Sequence, residues 1–135
     1  MVHHQPTAPH VIRLTWCFRL ALLVALGTIS WLALSEKPPE TLNLGWDKLN
    51  HVAAFCVLAG LAWFGNIAPS HPRYLGYLLV LIYGVLLECL QTLTVNRVFE
   101  WSDVVADTLG IVIYAVALHP IATRLPVLRS LIREA

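Results

Sequence analysis

Four long apolar stretches, parted by short polar segments, run along the chain. They cover about Leu14 to Leu34, His51 to Ala68, Tyr74 to Leu93 and Val104 to Ile121. Each is roughly 18–21 residues long, close to the ~20 that carry a helix across a ~30 Å hydrocarbon core. Apolar residues occupy the whole circumference of each, so neither strand alternation nor a single amphipathic stripe describes them. Breakers stand between them: Pro38-Pro39 in the first connection, Pro69 and Pro72 in the second, and Pro120 at the end of the fourth. The pattern predicts an all-α fold, a four-helix transmembrane bundle in a single domain over residues 1–135. A buried bundle in water would need polar outer faces that these segments lack. Beyond the last stretch, Leu128, Leu131 and Ile132 alternate with Arg129 and Arg133, which predicts a short amphipathic tail over 126–135 lying at an interface.

Composition agrees with the pattern. Of 135 residues, 58% are hydrophobic and only 13% charged, with mean hydropathy +0.69, where a soluble domain carries about 25% charged residues. A net charge of +1 leaves no basic excess for a nucleic-acid backbone, so nucleic acid is not an expected partner. The first stretch, preceded by His3, His4, Arg13 and Arg19, could be read as a secretory signal cut at Ala33-Leu34-Ser35. It is long for that role and Trp31 is bulky beside such a cut, so a retained span is expected. Arg13, Arg73, Arg124, Arg129 and Arg133 fall on one side of the spans, with Arg19 just inside the first. Lys37, Lys48 and Arg97 fall on the other, among Glu36, Glu40, Asp47, Glu100 and Asp103. The basic side is expected in the cytoplasm, with both termini there and the first and third connections outside.

That alternation gives the ionisable residues one depth. Asp47, Lys48 and His51 open the second span, Glu88 and Gln91 close the third, and Asp103 and Asp107 open the fourth, with Arg97 between. Glu88 and Gln91 share a helix face at i, i+3; Asp47 with His51, and Asp103 with Asp107, do so at i, i+4. Gly110 continues the Asp103–Asp107 face, where the missing side chain admits another helix. Charges inside spans face a bundle interior or a wet cavity and usually pair. Two readings stay open. The acids could simply accept bonds from Arg97, Lys48 and backbone, pinning the connections. Alternatively, their excess over the cations forms a site for a proton, a metal ion or a cationic ligand.

The same residues carry a family likeness. Asp47-Lys48-Leu49-Asn50-His51 with Phe55 resembles the motif that opens the second helix of the VanZ-like family. Glu88-Cys89-Leu90-Gln91, then Arg97, Trp101-Ser102-Asp103 and Gly110, is similar to that family's E-x-x-Q…R…D…N-x-x-G signature. Asp107 departs from it, standing where the family usually has Asn, and Thr94-Val95-Asn96 replaces a usual Pro-Gly turn. The resemblance implies a small multi-spanning bacterial membrane protein. The family's founding member is associated with resistance to the lipoglycopeptide antibiotic teicoplanin, and no reaction comes with the resemblance.

Three functions fit. The first is an envelope protein of the bacterial cytoplasmic membrane that binds a lipid-linked wall precursor or glycopeptide through Asp47, Lys48, His51, Glu88, Gln91, Arg97, Asp103 and Asp107. The second is a membrane-embedded enzyme on a lipid-linked substrate, with His51 or Glu88 as general base, Asp103 orienting it and Arg97 stabilising developing negative charge. The third is a structural partner in an envelope complex. Arg97 is the expected organiser, because its planar fork holds two carboxylates at once. No cofactor and no metal are expected; an oxygen-ligated metal on Glu88, Asp103 and Asp107 is a minor variant of the enzyme reading. Cys17, Cys56 and Cys89 lie within spans without metal spacing and read as small apolar residues. Trp16, Trp31, Trp46, Trp63 and Trp101 read as boundary belt residues.

Overall fold

The computed structural model describes residues 9–35, 46–94 and 98–133. Arg97, Lys37, Glu36, Glu40 and Pro38-Pro39 lie outside the described residues. All the regular structure described is helical: α1 Pro9–Leu34, α2 Asp47–Gly65, α3 Leu75–Gln91, α4 Trp101–Ala122 and a tail helix α5, Pro126–Arg133. Helices α1, α2 and α4 are long and apolar enough to cross a membrane; α3, at 17 residues, is a shorter apolar helix.

α2 is the central element, packed against α1, α3 and α4. Phe55, Leu58, Ala59, Ala62 and Phe64 of α2 are all within 3% of full burial and form most of the core's axis. Around them the surface is apolar. Only 6% of the apolar stretch of α1 is buried, and Leu20, Leu23, Val24, Trp31, Leu86, Val105 and Val116 are each more than half exposed. Such a surface suits lipid rather than water.

Helix starts differ from the hydropathy reading because polar residues there have partners. α2 begins at Asp47, whose carboxylate suits a helix N-terminus. α4 begins at Trp101, after Glu100 in extended backbone, with Asp103 in its first turn. α2 ends at Asn66, which takes the left-handed conformation (φ 43°) that Asn tolerates better than most side chains. The carbonyls left open at that end are taken by two arginines. Arg19 donates to Gly65 O (2.7 Å) and Asn66 O (2.9 Å), and Arg73 to Trp63 O (2.9 Å) and Leu131 O (2.6 Å).

Pro120 does not stop α4. The ring cannot donate to residue 116 and crowds its carbonyl, and the helix loosens into a π-turn over Tyr114–Leu118 just ahead of it before a last turn, His119–Ala122. Trp16, Trp31, Trp46 and Trp101 are exposed, as boundary residues would be. Trp63 is not one of them. It is half-buried, stacked on Tyr77 (5.4 Å between ring centres) and edge-on to His119 (4.5 Å).

Candidate functional site

Among the described residues the buried polar and charged side chains are Glu88, Gln91, Asp103 and Asp107, none more than 4% exposed. All lie where α2 and α4 begin and α3 ends. Lys48 joins two elements there: its ammonium bonds Asp103 and, at 2.7 Å, Glu100, with Asp47 4.0 Å away. His51, one turn further along α2, places Nδ1 2.7 Å from Asp107 Oδ1 and Nε2 3.7 Å from Asp103 Oδ2. The second separation is too long for a hydrogen bond, and charge attraction acts across it only when the imidazole is protonated. Glu88 accepts the backbone N–H of Glu100 at 2.8 Å, fixing the chain as it enters α4.

Three features of the helices make this possible. A Cβ on Gly110 would lie 2.4 Å from Val52 O and 3.0 Å from Cys56 N, so α2 and α4 meet backbone to backbone, as small residues allow. A Cβ on Gly84 would lie 2.5 Å from Asp107 Oδ2 and 2.7 Å from the Phe55 ring, so the Asp107 carboxylate and that ring rest on the bare backbone of α3. Below His51, Phe55 and Tyr83 continue a stack with centres 6.5 and 6.2 Å apart. The Tyr83 hydroxyl in turn reaches Ser30 (2.9 Å) and donates to Leu26 O (3.1 Å) on α1.

The expected residues divide accordingly. Lys48, His51, Glu88, Asp103 and Asp107 converge. Gln91 is buried but turned to α1, where its amide donates to Ala33 O at 3.1 Å; it ties helices together. Asp47 is half-exposed at the rim. The expected organiser, Arg97, lies outside the described residues, and the cation joining carboxylates from two positions is Lys48. The sequence leaves Asp107 either protonated or paired with Arg97 or Lys48; among the described residues it meets His51, because the i, i+4 steps on α2 and α4 run in the same direction and match turn for turn. Glu100, Phe55 and Gly84 were not counted as site residues. Glu100 was visible as the acid directly before the Trp-Ser-Asp run, and Gly84 gave only the weak signal of a glycine in an apolar helix.

A cavity of about 380 Å³ adjoins the cluster, between α1, α2 and α3. Asp47, Asn50 and His51 form its polar edge, and Ile29, Leu32, Phe55 and Leu87 line its apolar part. The ligand set with suitable spacing for a metal is Asp47, His51 and Asp103, within 4.8 Å of one another, rather than Glu88, Asp103 and Asp107. The Lys48 ammonium already supplies a positive charge to that set.

A sequence model described as VanZ/LLP1 matches residues 4–123. The chain belongs to the VanZ/LLP1 family. No curated protein and no solved structure matches it. The matched span takes in the whole cluster: Lys48, His51, Glu88, Asp103 and Asp107 all lie within it.

Proposed function

We propose that this VanZ/LLP1 protein is a multi-pass protein of the bacterial cytoplasmic membrane that binds an amphiphilic envelope ligand at its outer face. α3 serves as a fourth span in this reading, and both termini are cytoplasmic. The orientation is supported by Arg13, Arg73, Arg124, Arg129 and Arg133, which all belong to the end away from the cluster. The observation that carries the function is the cavity at His51: a polar edge continuous with an apolar trough between helices that otherwise face lipid. A lipid-linked wall precursor or a lipoglycopeptide of the teicoplanin type has that division, a polar head on an apolar chain. Protection against such a glycopeptide would follow from capturing it, or its target, at the membrane surface.

Native mass spectrometry of the purified protein tests this. Wild type is expected to retain a lipid-linked species that is lost in Ala53→Phe, which adds a ring to the trough that Ala53 lines. Equal retention by both overturns the reading.

One observation favours a second reading, an enzyme acting on the same ligand. Asp107 holds Nδ1 of His51, which fixes the tautomer and leaves Nε2 as the ring nitrogen facing Asp103, an arrangement suited to a general base. Asp107, rather than Asp103, is then the orienting residue, and Glu88 is committed to backbone. Under this reading His51→Gln binds ligand but does not turn it over; wild type that leaves a lipid-linked substrate unchanged sinks it.

A further inference from the structure

The opposite end of the molecule holds a second polar construction. There α2, α4 and α5 border a cavity of about 820 Å³ lined by Trp63, His119, Thr123, Arg124, Arg129 and Ile132. Two of its ring nitrogens, Trp63 Nε1 and His119 Nε2, are shut off from solvent and have no hydrogen-bond partner among the described residues. Buried polar atoms are nearly always satisfied, and one that is not asks for an explanation. Two exposed arginines, Arg124 and Arg129, face the same cavity. The described ion pairs all lie at the other end, so no described carboxylate pairs with Arg124 or Arg129. Arg73, 6.0 Å from the Trp63 ring centre, donates from Nη1 to Trp63 O and from Nη2 to Leu131 O and holds the wall in place. The π-turn comes immediately before His119, and such turns recur at functional sites.

We infer that this cavity is a second binding site, for a phosphate-bearing anion. Arg124 and Arg129 supply charge and forked donors, as phosphate recognition favours. Trp63 Nε1–H and His119 Nε2 stand behind them, groups that a phosphate oxygen would engage once the side chains covering them turn aside. Ile121, Leu125 and Val127 flank the arginines and are each more than half exposed. That apolar rim fits a lipid headgroup, with acyl chains along the rim, better than a free phosphate compound. Placing the site in the inner leaflet rests on the orientation proposed above; the site itself does not.

The test is a native mass spectrometry titration of the full chain in detergent with short-chain phosphatidylglycerol, against phosphatidylcholine, with inorganic phosphate as competitor. Wild type should prefer the anionic lipid. The pair Arg124→Gln and Arg129→Gln, both at exposed positions, should weaken that binding by about tenfold or more, one charge-assisted contact being worth roughly a decade. Trp63→Phe keeps the ring, removes the donor, and should weaken it severalfold. Arg13→Gln, equal in charge but away from the cavity, should leave it unchanged. Competition by inorganic phosphate would support a free phosphate compound as occupant, and its failure to compete would support the lipid. Unchanged affinity in the double variant or in Trp63→Phe, or an equal loss in Arg13→Gln, overturns the site.

Discussion

Asp107 differs from its neighbouring acids in what it holds. One carboxylate oxygen meets His51 and the other lies over Gly84. Asn at this position keeps the shape and an oxygen to accept from His51 Nδ1, so Asp107→Asn should melt close to wild type in detergent. Asp107→Ala leaves a half-buried imidazole without its partner and should cost about 1–3 kcal/mol. Asp103→Asn makes the same chemical change as Asp107→Asn but strips a charge from the Lys48 bridge, so it should lower ligand retention far more. Equal retention by the two Asn variants would show that the bridge has no part in binding. The depth of these residues was legible in the sequence, because alternating spans bring the start of α2, the end of α3 and the start of α4 to one level. Their pairing was not. Which cation meets which acid depends on helix rotation, and hydropathy is silent about rotation around a helix that is apolar all round.

Contact between α2 and α4 depends on two backbones touching at Gly110. Since Val52 O and Cys56 N cannot swing aside as a side chain would, Gly110→Ala must push the helices apart and pull Lys48 from Asp103. Overpacking of this kind costs about 1–3 kcal/mol or more, read as a lower melting temperature together with loss of ligand. Gly27→Ala on α1, where nothing lies within 4 Å of the added methyl, is the matched control and should melt as wild type or slightly higher. A Gly110→Ala protein as stable as the Gly27→Ala protein would refute the close approach. Gly110 itself was legible, one turn beyond Asp107 on the same face. The apolar stretch alone starts only at His51, while the helix starts at Asp47, where the carboxylate favours an N-terminus and Lys48 is satisfied by Asp103 of α4 and by Glu100. Pro120 did mark the end of the fourth span, which closes two residues beyond it at Ala122; the π-turn ahead of it was not legible. Trp63 looked like a belt residue because Tyr77 and His119, which cover it, come from two other helices.

Seen whole, the molecule separates its charges along its length. The described acids Asp47, Glu88, Glu100, Asp103 and Asp107 gather at one end with Lys48 and His51, while Arg19, Arg73, Arg124 and Arg129 occupy the other among helix carbonyls and aromatic rings. In a bilayer such a division supports the proposed direction, because cytoplasmic ends carry an excess of arginines and lysines. Even the exception, Arg19 within α1, conforms: its guanidinium reaches the last carbonyls of α2, at the arginine-rich end. The direction can be checked in whole cells with single cysteines in a background lacking Cys17, Cys56 and Cys89. Ser70→Cys, between α2 and α3, should react with a membrane-impermeant maleimide only after the membrane is opened. Thr41→Cys, in the connection between α1 and α2, should react from outside. Labelling of Ser70→Cys in intact cells, or of Thr41→Cys only in opened ones, would turn the protein over and place the His51 cavity in the inner leaflet, where a lipid-linked precursor would have to be met before export rather than after.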